Sequence, residues 1–170
     1  EGVPVETEMK SYVLLLVEDN ETMLEFMSER LREVFTVETA TNGQEALEVL
    51  RNRRIDLVIS DIMMPVMNGW ELCKEIKSDM DLSHIPVIFL TAKNDIDSKI
   101  NGLKIGAEAY VEKPFSFNYL KTQIVSLLYN RQKEREAFSK RPFFPTNKMQ
   151  MNKVDEEFMN KVIRTIEENI

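Results

Sequence analysis

Acidic, hydroxyl and ammonium side chains stand at the ends of four apolar runs, an arrangement suited to phosphoryl chemistry. Leu14-Leu15-Leu16-Val17 runs into Glu18-Asp19, and Leu57-Val58-Ile59-Ser60 runs into Asp61. Val87-Ile88-Phe89-Leu90 ends at Thr91, and Ala109-Tyr110-Val111-Glu112 ends at Lys113-Pro114. In an open parallel sheet the ligand site lies off the carboxyl ends of the strands, so these distant groups would meet in one place. Like charges that close disfavour joint ionisation unless a cation compensates. A hard ion such as Mg²⁺ suits one or two carboxylates, with water and a phosphate oxygen completing its shell. Two acids after a strand can also simply cap a helix, where negative charge suits the dipole. With Asp61 on the neighbouring strand, the metal reading prevails for Glu18 and Asp19. A carboxylate placed like Asp61 can act as nucleophile and form an aspartyl phosphate. Mg²⁺ and the Lys113 ammonium would offset the phosphoryl charge, and the Thr91 hydroxyl would donate a hydrogen bond to it. Singly, Thr91 is an ordinary strand-end residue and Lys113 an ordinary surface one. Their joint placement sets them apart.

The elements that must position these groups alternate as βαβ units require. The pattern predicts strands over 12–17, 35–40, 55–60, 87–90 and 109–112. Between them lie helical stripes carrying Leu24, Met27, Leu31 and Val34; Ala46, Leu47 and Leu50; Leu72, Cys73 and Ile76; and Ile96, Ile100 and Leu103. Asn42-Gly43 and Asn68-Gly69 turn the chain into the second and third helices, and a last helix from Phe117 to Leu128 carries Leu120, Ile124 and Leu127. This predicts one α/β domain over 11–130: a doubly wound, five-stranded parallel sheet. Residues 1–10 show no periodicity and read as a linker or a cloning scar on a piece cut from a longer protein. The charged stretch 130–140 is able to prolong the last helix. Arg141-Pro142-Phe143-Phe144-Pro145 breaks it, because proline removes a donor and clashes with the preceding turn. A linker over 131–147 therefore precedes a further stripe, Phe158, Val162, Ile166 and Ile170, within 148–170.

With 170 residues, 43% of them hydrophobic, the chain can bury one good core. The net charge of −7 argues against a surface that wraps nucleic acid. A single cysteine, Cys73, excludes an internal disulfide framework and fits a reducing compartment. The absence of a long apolar run or signal-peptide pattern leads to the expectation of a cytoplasmic fragment without membrane contact.

Four segments together resemble the receiver (response regulator) domain of bacterial two-component signalling. They are Leu16-Val17-Glu18-Asp19-Asn20, the run from Ser60-Asp61-Ile62-Met63-Met64-Pro65 through Asn68-Gly69, Leu90-Thr91-Ala92, and Tyr110-Val111-Glu112-Lys113-Pro114-Phe115. The resemblance implies a flavodoxin-like (βα)5 fold with strand order 2-1-3-4-5 and a helical extension. It implies Asp61 as phosphoacceptor, taking its phosphoryl group from a phosphohistidine of a histidine kinase. Glu18, Asp19, Asp61 and the Met63 backbone carbonyl would bind Mg²⁺, for which Mn²⁺ can substitute. Thr91 and Lys113 would contact the phosphoryl group, Tyr110 would be the aromatic switch, and Lys113-Pro114 would be cis. Thr91 would swing towards the phosphoryl group and Tyr110 would move in from an exposed rotamer. That would reshape the face of the fourth helix, fifth strand and fifth helix, a surface through which homodimers can form. Such a fragment is a self-phosphorylating acceptor with autodephosphorylation rather than an ordinary enzyme.

The C-terminal stripe resembles the first helix of an AraC-type helix-turn-helix domain, although a linker helix has the same pattern. The resemblance implies a hybrid parent joining sensor, histidine kinase, receiver and DNA-binding domain, membrane-anchored in some arrangements, with DNA contacted only by a domain absent here. Three other classes compete. A phosphatase of the haloacid dehalogenase type needs a second acid two residues after its nucleophile, where Met63 stands. A flavodoxin-like or dinucleotide binder needs a first loop that cradles phosphate on backbone N–H groups, whereas Glu18-Asp19 would repel one. A pure interaction module would carry the acids without using them.

Overall fold

A computed structural model describes residues 9–92, 97, 100 and 104–140, the side chains of 138–140 excepted. Five parallel strands form one sheet: β1 (Val13–Val17), β2 (Thr36–Ala40), β3 (Leu57–Asp61), β4 (Val87–Ala92) and β5 (Ala109–Lys113). Their order is β2-β1-β3-β4-β5, as the resemblance implies. The chain crosses over through α1 (Glu21–Arg32), α2 (Gly43–Asn52) and α3 (Gly69–Ser78), and α4 (Phe117–Lys140) follows β5. Between β4 and β5 the described residues 97, 100, 104 and 105 are helical. Most of the stripe of Ile96, Ile100 and Leu103 lies outside the described residues, as does everything after residue 140. The chain divides into two compact units, Glu1–Gln132 and Lys133–Ile170. The first holds the sheet.

Strand alternation distributes the apolar side chains to two faces. Leu15, Val17, Val58, Val87 and Phe89 meet Ala46, Leu47 and Leu50 of α2 and Leu72, Cys73 and Ile76 of α3. Leu14, Leu16, Leu57, Ile59, Ile88, Leu90 and Val111 meet Met27 and Leu31 of α1 and Leu120, Ile124 and Leu128 of α4. Burial on both faces explains why β1, β3 and β4 read as continuous apolar runs rather than alternating ones. Met9, which the sequence groups with the N-terminal linker, is buried in the second layer. The folded core therefore includes a residue ahead of Ser11. The α4 helix continues through 130–140, since nothing in that stretch obstructs it before Pro142.

Asparagine starts three of the helices at the sheet's carboxyl edge. Asn20 accepts from Met23 N–H at 3.0 Å, and Asn42 accepts from Glu45 N–H at 2.9 Å. Asn68 and Glu71 form a reciprocal capping box. Each satisfies a donor that a helix start would otherwise leave unpaired. These caps set where each β–α loop ends, and so where the strand-end side chains point.

Candidate functional site

Parallel register brings the strand ends to one edge. Val17 lies opposite Ser60, Asp61 opposite Leu90 and Thr91 opposite Glu112. Glu18 and Asp19 follow β1, Asp61 ends β3, Thr91 lies near the end of β4 and Lys113 ends β5. Carboxylate oxygens of Glu18, Asp19 and Asp61 all lie within 4.8 Å of one another. Lys113 Nζ stands 3.3 Å from Asp61 Oδ2 and 3.7 Å from Glu18 Oε1. Asp61 Oδ1 accepts from the Ile62 N–H at 2.9 Å. Of the sequence-predicted site residues, these four are therefore together.

Burial differs sharply within the group. Glu18 is buried, Asp61 half-buried and Asp19 exposed. Burial pushes the Glu18 carboxyl above its ordinary range, and the nearby Asp61 and Asp19 push the same way. The Asn20 N–H, at 3.1 Å from Glu18 Oε2, and the Lys113 ammonium oppose this rise. Among the described residues one ammonium faces three carboxylates, so negative charge stays in excess. The donors are all hard oxygens held close together, which fits a small divalent cation and suits neither zinc nor copper as well.

Thr91 is 2% exposed, and its Oγ1 is buried without a hydrogen-bond partner. An unpaired buried hydroxyl is uncommon, and this one stands at the strand end beside the cluster. Tyr110 lies opposite Phe89, with ring centroids 5.8 Å apart. Its hydroxyl is also buried without a partner, and burial raises its pKa. The sequence leads to the expectation of an outward ring in the resting state. Instead the hydroxyl is already buried, because Phe89 and the first core layer offer the ring an apolar seat. Met63 sits on the loop after β3, two residues beyond Asp61, and is 73% exposed. The peptide bond between Lys113 and Pro114 is cis.

Two glycines make close backbone approaches that the sequence shows only as turn markers. A Cβ at Gly69 would stand 2.4 Å from the Asp61 carbonyl oxygen, and one at Gly43 would stand 2.6 Å from Met67 Cγ. The signal was present in Asn42-Gly43 and Asn68-Gly69, but proximity to the site is a tertiary fact. Among the other residues, Cys73 is buried, His84 exposed and Trp70 half-buried on α3. Lys93, two residues past Thr91, lies outside the described residues.

Residues 14–125 match the response regulator receiver domain family. Histidine kinase P4 of Formosa agariphila is 33% identical over 164 residues, covering 96% of this chain and 12% of that kinase. The probable transcriptional regulator ycf27 of Cyanidium caldarium is 41% identical over 120 residues, 70% of this chain and 47% of that protein. The chain thus spans less than half the length of either relative. The crystal structure of the receiver domain of a signal transduction histidine kinase from Syntrophus aciditrophicus is 34% identical. It covers 81% of this chain and 98% of that one, with a TM-score of 0.65. Sheet order, the acid cluster at the strand ends and the 14–125 match agree, and the chain belongs to the response regulator receiver domains of two-component phosphorelay signalling.

Proposed function

We propose that Asp61 accepts a phosphoryl group from the phosphohistidine of a histidine kinase. The observation that carries this reading is the 3.3 Å approach of Lys113 Nζ to Asp61 inside the three-carboxylate cluster. An Asp61 carboxylate oxygen attacks phosphorus, the bond from phosphorus to the histidine nitrogen breaks, and the imidazole leaves with the electron pair. The protein's contribution is chiefly placement and charge neutralisation. Lys113 meets one of the phosphoryl oxygens, and the Thr91 hydroxyl, which has no other partner, donates to another. Glu18, Asp19, Asp61 and the Met63 carbonyl would hold Mg²⁺ or Mn²⁺, which supplies positive charge against the phosphoryl oxygens when bound. Water later returns Asp61 to its carboxylate.

The same residues supply a switch. Movement of Thr91 towards the phosphoryl group frees space beside β4, into which the Tyr110 ring packs further. The face of the helix after β4, β5 and α4 changes with it, and this face is where a second copy or an output domain would engage. The parent is a hybrid histidine kinase whose kinase acts on this domain in the same chain or its dimer mate, with a C-terminal AraC-type DNA-binding output. In support, the match to the Formosa kinase covers 96% of this chain and so runs well past residue 125.

Labelling with acetyl phosphate in the presence of Mg²⁺ tests the acceptor. Wild type should form an acid-stable, base-labile phosphoprotein, and Asp61→Asn should form none while keeping the wild-type circular dichroism. Undiminished labelling of Asp61→Asn would overturn the assignment.

A further inference from the structure

Three methionines stand in the loop between Asp61 and α3, and they differ in exposure. Met64 and Met67 are half-buried and pack against the first core layer, whereas Met63 is 73% exposed. Backbone bonds pin the loop at both ends. The Gly69 N–H donates to the Ile62 carbonyl at 2.8 Å, and the Gly43 N–H donates to the Met67 carbonyl at 3.0 Å. Ile62 itself is buried. Between these anchors Met67 N–H reaches back to Pro65 O at 2.7 Å, with Val66 at φ +69°. The buried Ile62 and the half-buried Met64 flank Met63, whose own exposure puts it on the solvent side of the loop, two residues from Asp61.

We propose that Met63 is a redox modification site, at which conversion of the thioether to a sulfoxide by a peroxide shortens the lifetime of the phosphorylated domain. This inference rests on the reading of Asp61 as acceptor. A sulfur lone pair attacks the peroxide, the O–O bond breaks, one oxygen stays on sulfur and the other leaves as water after proton transfer. Sulfur is oxidised by two electrons and the peroxide is reduced by two. The product is polar and reversible by sulfoxide reductases. An apolar thioether two residues from Asp61 offers water no acceptor, whereas the S–O dipole accepts a hydrogen bond and would hold water at the rim of the site. That water attacks phosphorus, the bond to the Asp61 oxygen breaks, and the carboxylate returns as phosphate departs with the proton. The modification would make the signal short-lived under oxidising conditions.

The test treats the whole chain with hydrogen peroxide, removes the oxidant and locates added oxygen by peptide mass spectrometry. The protein is then loaded with radiolabelled acetyl phosphate and Mg²⁺, and loss of label is followed after desalting. Oxidised wild type should lose label about three-fold faster or more, the size one added hydrogen bond supports. Met63→Leu should have one decay rate whether or not peroxide is used, and Met63→Gln should decay fast without it. The double variant Met23→Leu/Met80→Leu removes the other exposed methionines among the described residues, at 42% and 93% exposure, and should remain peroxide-sensitive. Unchanged decay with Met63 fully oxidised, a peroxide response that survives in Met63→Leu, or a Met63 left unoxidised while Met80 reacts would each overturn the inference. Failure of the untreated chain to take up label at all would strike the acceptor reading first, and is told apart by that untreated control.

Discussion

At the residue scale, the acid cluster sets fold stability against function. Glu18, Asp19 and Asp61 crowd their carboxylates within 4.8 Å, with only Lys113 to offset them among the described residues. Like charges at that separation cost stability unless a cation is present. Asp61→Asn should therefore raise the metal-free melting temperature by about 4 °C, corresponding to ~1 kcal/mol in a domain of this size. Millimolar Mg²⁺ should raise the melting temperature of wild type and do much less for the variant, which thermal scans with and without the metal would reveal. Cys73 shows burial acting on a different group. It is wholly buried, and desolvation pushes its thiol up to about 12. A buried thiol that stays protonated is a poor nucleophile. In the native protein Cys73 should ignore a disulfide reagent at pH 8 and react promptly once urea unfolds the chain. Rapid native-state reaction would mean that α3 opens from the sheet.

At the scale of elements, the approach of α3 to β3 positions the acceptor. The α3 helix begins at Gly69, whose N–H donates to the Ile62 carbonyl at 2.8 Å. A Cβ there would meet the Asp61 carbonyl oxygen at 2.4 Å, Ile62 Cα at 3.0 Å and Phe89 Cε1 at 3.1 Å. The first two are backbone atoms, so the neighbours have little room to yield. Overpacking of this kind costs about 1–3 kcal/mol. Gly69→Ala should lower the urea midpoint accordingly and also weaken Mg²⁺ binding, because relief requires Asp61 to move. Loss of stability with unchanged metal affinity would show that β3 does not carry the strain. At its other end α3 is tied by Lys77, whose Nζ lies 2.7 Å from the Ile85 carbonyl and 2.8 Å from Glu108 Oε2. Glu108 Oε1 in turn accepts from Val87 N–H at 2.8 Å. One lysine thus links the end of α3 to the starts of β4 and β5.

At the scale of the molecule, the sheet and both covering layers lie within the unit that ends at Gln132. The Tyr12 hydroxyl donates to Gln132 Oε1 at 2.8 Å, closing that unit at the amino ends of the strands. A fragment of residues 9–132 should therefore unfold in one cooperative step and keep the Mg²⁺ affinity of the whole chain, measured by Trp70 fluorescence. A broad transition or a lost metal response would show that residues beyond 132 help to build the receiver. Among the described residues no helix is long and apolar enough to cross a membrane.

Much of this was legible in the sequence, because strands buried on both faces must be apolar runs and a parallel sheet must gather their carboxyl ends. From those two constraints Glu18, Asp19, Asp61, Thr91 and Lys113 could be picked out and the strand order anticipated through the family resemblance. Asn42-Gly43 and Asn68-Gly69 announced helix starts for the same local reason, a side-chain cap followed by a small residue. Other features rest on contacts between segments far apart in the chain. Met9 lies in the core, the Tyr110 ring has settled against Phe89, Thr91 Oγ1 lacks a partner, and Gly69 must lack a Cβ because Asp61 lies behind it. Sequence patterns report which face a residue prefers, whereas exposure and unmet hydrogen bonds depend on what arrives opposite. For that reason the chemistry of the site was visible in the residues, and its geometry and the single exposed methionine of its loop emerged only on folding.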